Sequence, residues 1–339
     1  MLSSWSKRMV VAALATATSL VPISGKAQQP VDVVMALPSS TLTFSSPFLA
    51  EDAGFYQKEG LHVTDITLVG VSSVNAVISG SADFSVSTGS VFLRAVAHGQ
   101  RLLAIANLID KPLVEMVLRK DVYNALKIND GMSLAERGRL LKGRTIAIHG
   151  VGSVIHAWEG VVAARGGLDP GRDVRIAPMD PPAMLGALQT KAVDGFTTSL
   201  PFTTEAVVNG SAIMFASAAQ GAAPDLIPFP YGLVMTKPET CETNREKCAR
   251  LVRALAAANR MIRDEPDKAL GILSKRFKQM NPTVLATAWK IVAQAHATDL
   301  RVTEPVLAQG DKISIEARLL DPKEKLQSYG GLYTDQYLH

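Results

Sequence analysis

Short apolar runs alternate with longer segments of helical character through the first part of the chain. Runs of this length predict strands, and the Ser, Gly and Pro residues between them predict helix starts and ends. Strands that alternate with helices are typical of βαβ units and of parallel sheets. The predicted strands of this first part are residues 31–36, 61–68, 84–87, 102–107 and 113–119.

The alternation stops in a polar, glycine-containing segment, residues 120–142, for which we predict a linker or a surface hairpin. It restarts at Thr145 and continues to Ala216, and a further strand at 231–236 leads back to the first part. An alternation that is interrupted and then renewed predicts two α/β lobes, and the chain is long enough for both.

The chain from Glu242 onward reads as helical. Four segments, each with a Pro or an N-cap residue at its start, predict a helical C-terminal tail. We therefore expect an α/β fold with two doubly wound lobes, a ligand cleft between them and this tail. The predicted lobe one is residues 30–118 plus 225–339, and lobe two is residues 119–224.

The N-terminus carries the pattern of an export signal. A Lys-Arg pair precedes an apolar run from Met9 to Leu20, and Gly25 and Ala27 place small residues where a signal peptidase reads. The run is shorter than the ~20 residues that a membrane span needs. We therefore predict that residues 1–27 are a cleaved signal peptide and that the mature protein lies in the periplasm.

The charge of the chain does not favour a nucleic-acid partner. Residues 1–27 contain three of the 35 basic residues and none of the 31 acidic ones, so the remaining chain is close to neutral. The remaining basic residues are scattered, and those near Arg250 have the spacing of a solvated helix face. We expect no nucleic-acid partner and a monomer.

The chain has two cysteines, Cys241 and Cys248. Two cysteines this close together in an exported protein favour a disulfide. A metal site would need further Cys or His residues nearby, and the segment between the two has neither. We predict a local disulfide at the entry to a helix that starts near Arg245.

The motifs of common enzyme classes are absent. The segment 150–155 (GVGSVI) lacks the third glycine of a dinucleotide fingerprint, and no segment matches a P-loop or a nucleophile elbow. His149 and His156 flank this glycine turn, and two interpretations remain: contact with a shared ligand or metal, or a structural role. We predict no enzymatic activity, no metal and no cofactor.

Hydroxyl-bearing and small residues recur at the predicted strand-to-helix turns. Such turns meet at the carboxyl ends of parallel strands, where doubly wound sheets bind ligands, and helix N-termini attract anions. The alternative is that each Ser or Thr only caps a helix or forms a turn. No Arg or Lys lies in these turns, and an array of neutral donors suits a sulfonate or a carboxylate. The predicted ligand-binding residues are Ser39, Ser40, Thr41, Phe44, Ser72, Ser73, Thr88, Gly89, Ser90, Ser153, His156, Thr198 and Tyr231.

Five motifs follow one another in the order of a known family. They are the segments 46–63 (ending GFYQKEGLHV), 80–84 (GSADF), 141–147 (LKGRTIA), 167–174 (GLDPGRDV) and 187–195 (ALQTKAVDG). Together they resemble the nitrate/sulfonate/taurine-type periplasmic binding proteins, which are relatives of the thiamine-pyrimidine binders. The resemblance covers about residues 32–260. Two positions depart from the family pattern, with Lys191 in place of a Gly and Gly195 in place of an Ala.

The resemblance implies a type II periplasmic-binding-protein fold whose lobes close on a small anion. It implies a solute-binding component of an ABC importer for a sulfonate, nitrate or carboxylate, with a membrane permease as partner. The cysteine-rich motif of the eukaryotic pyrimidine-synthesising relatives is absent, which argues against pyrimidine synthesis here. The alternatives are a binder of pyrimidines or aromatic compounds, a periplasmic sensory protein and, in another class, a periplasmic enzyme.

Overall fold

The structure is a computed structural model that describes residues 30–68 and 71–338 of the 339-residue chain. The predicted signal peptide, residues 1–27, lies outside the described residues. None of the described helices is both long enough and apolar enough to cross a membrane.

Each of the two lobes is built on a five-stranded sheet. The strands are β1 (Val31–Leu37), β2 (Leu61–Thr67), β3 (Phe84–Ser87), β4 (Leu103–Asn107), β5 (Glu115–Arg119), β6 (Thr145–Ile148), β7 (Arg175–Pro178), β8 (Gly195–Thr198), β9 (Ala212–Ser217) and β10 (Leu233–Thr236). The first sheet has the order β2-β1-β3-β10-β4, and the second has the order β7-β6-β8-β5-β9. The predicted two-lobed α/β architecture is confirmed.

One strand in each sheet departs from the parallel arrangement that the alternation of strands and helices predicts. β10 runs antiparallel between β3 and β4, and β5 runs antiparallel between β8 and β9. Each of these strands enters its sheet directly from the other lobe, without the helical crossover that joins parallel neighbours. Residues 115–118, which the sequence places in lobe one, therefore pair within the sheet of lobe two.

Helices flank both sheets and form the C-terminal tail. They are α1 (Ser45–Asp52), α2 (Phe55–Lys58), α3 (Ser72–Ser79), α4 (Gly89–Ala97), α5 (Lys120–Ala125), α6 (Leu134–Arg139), α7 (Val154–Arg165), α8 (Pro170–Asp173), α9 (Pro181–Gln189), α10 (Phe202–Val208), α11 (Pro238–Thr243), α12 (Arg245–Asp264), α13 (Pro266–Leu273), α14 (Pro282–Ala295) and α15 (Glu304–Glu316). The four predicted tail helices are confirmed as α12 to α15.

The segment 120–142 is not a linker, because it forms α5 and α6. A capping box starts α6: the Glu136 amide donates to Ser133 Oγ (3.2 Å), and the Ser133 amide donates to the Glu136 carboxylate (2.8 Å). This helix meets α7 through Gly138, where a Cβ would lie 2.1 Å from the carbonyl oxygen of Val162. Because that contact uses a glycine, the sequence carries no apolar stripe that would reveal the helix.

Two crossover segments, residues 108–114 and 218–232, connect the lobes. They are hydrogen-bonded to each other: the Leu108 amide donates to the Gly232 carbonyl (2.8 Å), and the Tyr231 amide donates to the Ile109 carbonyl (3.1 Å). The Phe229 amide also donates to the Asp110 carbonyl (2.7 Å). The connection is therefore a paired ribbon, which is the natural position for a hinge.

The C-terminal helices cover both lobes. α12 packs on α1 and α2 of lobe one, whereas α14 contacts α10 of lobe two and α15 lies between α4 and α7. Arg165 of α7 donates to Glu316 of α15 (Nε–Oε1 2.6 Å) and to both carboxylate oxygens of Asp225 (3.0 Å each). The tail therefore contacts both sides of the cleft.

The predicted disulfide is confirmed, and it joins Cys241 of α11 to Cys248 of α12. The Cα atoms of the two cysteines are 5.7 Å apart. Asn244, between them, caps α12 by accepting a hydrogen bond from the Lys247 amide (3.0 Å). The bond and the cap together fix the start of the longest described helix.

Removal of the disulfide in the double variant C241S/C248S is expected to lower the free energy of unfolding by ~2–3 kcal/mol. The loop is short, and the stabilisation from chain entropy grows only with the logarithm of loop length. Urea denaturation of both proteins measures the difference. Thiol titration of the denatured, unreduced wild type should find no free thiol, and two free thiols would contradict the bond.

Candidate functional site

A cavity of about 60 Å3 lies between the two lobes. Lobe one contributes residues that follow β1 and β3, and lobe two contributes residues that follow β6 and β8. Carboxyl ends of parallel strands meet at one edge of a sheet, so the two sheets present these ends to the same space. The lining residues are Pro38, Ser39, Phe44, Ser87, Thr88, Val91, His149, Ser153, Val154, Ile155, Ser199 and Tyr231.

Two helices point their N-termini at this cavity from opposite lobes. α4 begins at Gly89 with Thr88 as its N-cap residue, and α7 begins at Val154 with Ser153 as its N-cap residue. Both N-cap residues line the cavity. Because a helix N-terminus carries a partial positive charge, the pair creates a site that favours an anion.

The turn before α7 depends on two glycines. Gly150 and Gly152 have φ angles of +80° and +74°, a region that favours glycine over other residues. The hydroxyl of Ser153 then donates to the Gly150 carbonyl (2.6 Å) and accepts from the Ile155 amide (3.2 Å). The sequence prediction of a glycine turn followed by a serine N-cap is confirmed.

The two N-cap residues differ in the hydrogen bonds that their hydroxyls already make within the protein. The Ser153 hydroxyl is both donor and acceptor within its own turn. The Thr88 hydroxyl makes no bond to a helix amide, and it pairs only with the Ser90 hydroxyl (3.1 Å). Thr88 can therefore turn a hydrogen-bonding group toward a ligand at little cost, whereas Ser153 cannot.

Tyr231 links the cavity to the hinge. It lies in the second crossover, and its hydroxyl donates to the Leu113 carbonyl (3.1 Å) and pairs with the Ser199 hydroxyl (2.8 Å). Burial raises the pKa of Tyr231 well above its usual range, so the phenol stays neutral. The ring thus forms a neutral wall that touches both crossover segments and lobe two.

None of the lining residues carries a fixed charge. Burial lowers the pKa of His149, against a smaller opposing effect of Asp180. Burial also lowers the pKa of His156, and the nearby charge of Arg94 lowers it further. Both imidazoles are therefore neutral at pH 7. The positive character of the cavity comes from helix ends and not from histidine.

The structure brings five of the predicted site residues to the cavity wall: Ser39, Phe44, Thr88, Ser153 and Tyr231. Six others lie beside the wall without lining it: Ser40, Thr41, Gly89, Ser90, His156 and Thr198. Polar groups of two of these residues are already hydrogen-bonded within the protein. The Gly89 amide donates to the Pro230 carbonyl (2.7 Å), and the Ser40 hydroxyl bonds to the Thr67 hydroxyl (2.6 Å).

Ser72 and Ser73 are not brought to the cavity. Ser72 is exposed at the start of α3, and Ser73 is buried behind it. The neighbouring Val71 and Val74 line a separate outer hollow, next to Arg94. Ser72 and Ser73 therefore lie outside the lining of the cavity.

The predicted set omits seven lining residues, of which only His149 was considered for ligand contact; they are Pro38, Ser87, Val91, His149, Val154, Ile155 and Ser199. Each lies within four residues of a predicted one. Val91, Val154 and Ile155 sit in the first turns of helices, where they look like ordinary core residues. Position next to an N-cap residue is the signal that would have found most of them.

Among residues 30–68 and 71–338, no group of three or more His, Cys, Asp or Glu side chains is placed to hold a metal ion. The hydroxyl of Ser153 donates to backbone carbonyls and not to an imidazole. The arrangement therefore offers a neutral, hydrogen-bonding pocket with an apolar side, which suits binding of a small solute.

The chain matches the family model described as NMT1/THI5 like over residues 41–269. No curated protein matches it. Three solved structures share its architecture. A protein of Bordetella bronchiseptica is 21% identical with a TM-score of 0.71, and the match covers 90% of this chain and 95% of that one.

The alkanesulfonate-binding protein SsuA of Xanthomonas axonopodis pv. citri, bound to MOPS, is 19% identical with a TM-score of 0.68, covering 88% and 97% of the two chains. The periplasmic nitrate-binding protein NrtA of Synechocystis is 14% identical with a TM-score of 0.59, covering 88% and 92%. At these identities the likeness concerns the fold. The chain belongs to the NMT1/THI5-like family and has the two-lobed fold of the periplasmic binding proteins.

Proposed function

We propose that this protein binds a small anionic solute between its lobes and delivers it to the membrane permease of an ABC importer. The observation that carries this proposal is the pair of helix N-termini, with Thr88 and Ser153 lining one cavity from opposite lobes. An anion between two positive helix ends interacts with both lobes at once, so it favours the closed arrangement over an open one.

The composition of the wall narrows the class of solute. Ser39, Thr88 and Ser199 belong to the hydroxyl-bearing part of the lining, and Phe44 and Ile155 belong to its apolar part. A sulfonate or carboxylate with a short apolar group uses both parts, whereas nitrate uses only the polar one. The similar structures include an alkanesulfonate-binding and a nitrate-binding protein, which supports an anionic solute in general.

A specific observation favours a second candidate, a binder of aromatic compounds or pyrimidines. Phe44 and Tyr231 both line the cavity, and aromatic rings in a pocket wall can stack on a flat solute. An aromatic carboxylate satisfies both proposals, and an uncharged pyrimidine satisfies only the second.

We propose a binding role without catalysis. The wall contains no Asp, Glu, Lys or Cys, and among the described residues the Ser153 hydroxyl donates to the backbone carbonyl of His149 (3.1 Å) and not to its imidazole. No nucleophile with a base in reach is present among these residues, which is the arrangement that covalent hydrolysis needs.

We propose that residues 1–27 export the protein to the periplasm. N-terminal sequencing of the protein from a periplasmic fraction should begin at Gln28. An intact residue 1 in the mature protein would contradict the export signal.

Native mass spectrometry of the purified protein tests the binding role, because a co-purified solute adds its mass to the chain. Calorimetric titration then compares methanesulfonate, benzoate and nitrate with uracil. We expect the sulfonate or the carboxylate to bind most tightly. If uracil binds and the anions do not, the second candidate is correct; if nothing co-purifies and nothing binds, the proposal fails.

We propose that the lobes close on the solute by rotation about the paired crossovers. The moving bodies are residues 30–114 with 225–338 and residues 115–224, the first boundary lying where β5 enters the second sheet. Small-angle scattering should show a smaller radius of gyration with saturating solute. Identical scattering profiles with and without solute would contradict closure.

A further inference from the structure

Arg94 reaches across the cleft. It lies on α4 of lobe one, and its Nη2 donates a hydrogen bond to the carbonyl oxygen of Gly152, in the turn before α7 of lobe two. Its guanidinium lies against the backbone there, because a Cβ at Gly152 would be 3.6 Å from both terminal nitrogens. This is a direct polar contact between the two lobes at the cleft.

The charge of Arg94 has no counter-charge in the described part of the chain. None of the ion pairs among residues 30–68 and 71–338 includes Arg94, and its described side-chain hydrogen bond is to a neutral carbonyl. Burial lowers the pKa of Arg94, and no carboxylate opposes that effect. A partly buried cation without a partner is costly, because neither water nor an anion compensates its charge fully.

The surroundings of Arg94 supply hydrogen bonds but no negative charge. His156 is neutral, and its Nδ1 accepts a hydrogen bond from the Gly152 amide (3.1 Å). His98, one turn further along α4, shares the outer hollow with Arg94. The other residues that line this hollow are Val71, Val74, Asn75, Val91, Ala95 and Leu319.

Arg94 lines this outer hollow, and residues next to it on both lobes line the cavity. Val91, one turn before it on α4, lines both spaces. Ser153, next to its acceptor Gly152, lines the cavity. The guanidinium therefore bonds to the residue next to Ser153, in the turn that borders the cavity.

We propose that Arg94 is the residue that makes lobe closure depend on a negatively charged solute. This inference rests on the proposed function and deepens it. In the closed form the guanidinium bridges the lobes, and the bound anion supplies the counter-charge that the protein lacks. An uncharged solute of the same shape leaves the cation uncompensated, so the cleft closes on it less readily. Arg94 acts as a positioning residue for closure and selects for charge.

The test compares solutes that differ in charge and hardly in shape. Methanesulfonate is paired with dimethyl sulfone, and benzoate is paired with benzamide. Calorimetric titrations use the wild type, R94M, R94K and the control R101M. Arg101 lies on the same lobe, and its side chain is exposed and paired with Glu239 (2.6 Å).

We expect R94M to bind each anion at least tenfold more weakly than the wild type, with R94K in between and R101M unchanged. The decisive readout is the ratio of anion affinity to neutral-analogue affinity, which should fall in R94M and be kept in R94K. A misfolded R94M would lose both solutes equally, and the neutral variant R94Q then replaces it, with the same fall in the ratio expected.

Scattering of R94M at saturating methanesulfonate should show a less compact molecule than the wild type. If R94M keeps the charge preference of the wild type, the inference is wrong while the proposed binding function stands. If the wild type binds none of the four solutes, the proposed function and this inference both fail.

Discussion

Replacing Glu159 by glutamine is expected to raise the free energy of unfolding by about 4–5 kcal/mol at pH 9 and to change it little at pH 4. Glu159 lies in α7 and is fully buried. Neither of its carboxyl oxygens has a hydrogen-bond partner among the described residues. Burial raises its pKa to about 8, because an ionised carboxylate in this surrounding loses its water without gaining a partner.

The direction of the effect follows from proton linkage. In the unfolded chain Glu159 ionises near its ordinary pKa of about 4.5, whereas the folded protein keeps it protonated up to about 8. Between these values the unfolded state binds fewer protons, so the wild type loses about 1.4 kcal/mol of stability per pH unit. Below the unfolded pKa both states are protonated and the group has no effect. Glutamine does not titrate, so the free energy of unfolding of E159Q does not fall in this way as the pH rises.

Urea denaturation of both proteins at pH 4 and pH 9 measures the difference. The variant E242Q is the matched control, because Glu242 is exposed and carries the same substitution. It should follow the wild type at both pH values. A gain for E159Q that is equal at pH 4 and pH 9 would mean that the carboxyl is not protonated in the folded protein at intermediate pH.

Strand positions were predictable because apolar runs of four to seven residues stand between glycine and hydroxyl-bearing residues. Strand partners were not. The run that becomes β5 looks like any other strand, and nothing in its residues records that it pairs antiparallel with β8 and β9. Pairing depends on where the crossover places the strand, which is a property of the whole fold.

The site could be predicted only in part, because its residues also depend on how the strands are ordered in the sheets. The turns before α3 and α4 both carry Ser or Thr in the expected position, yet only Thr88 reaches the cavity. Ser72 follows β2, which is the edge strand of its sheet, whereas Thr88 follows β3, which is central. The lining residues follow the inner strands β1, β3, β6 and β8, whereas Ser72 follows an edge strand and lies outside the lining. The two turns carry the same sequence signal, and strand order, which cannot be read from the sequence, determines which of them reaches the cavity.

Alanine at Thr88 is expected to lower mainly the affinity for the solute, whereas alanine at Ser153 is expected to lower mainly the stability. T88A should weaken binding of the preferred anion tenfold to a hundredfold, since losing a hydrogen bond to a charged group costs about 1.5–3 kcal/mol. It should leave the melting temperature nearly unchanged, because the Thr88 hydroxyl does not cap α4. Calorimetric titration and a melting curve measure the two quantities on one preparation.

S153A is expected to lower the free energy of unfolding by about 0.5–2 kcal/mol, the usual cost of losing an N-cap. Its affinity should fall much less than that of T88A, because the Ser153 hydroxyl is already committed to the Gly150 carbonyl and the Ile155 amide. S72A is the control for both, since Ser72 is exposed and outside the cavity. If T88A lowers the melting temperature and keeps full affinity, Thr88 only shapes its turn. Equal losses of affinity in T88A and S72A would move the site to the outer hollow beside α3.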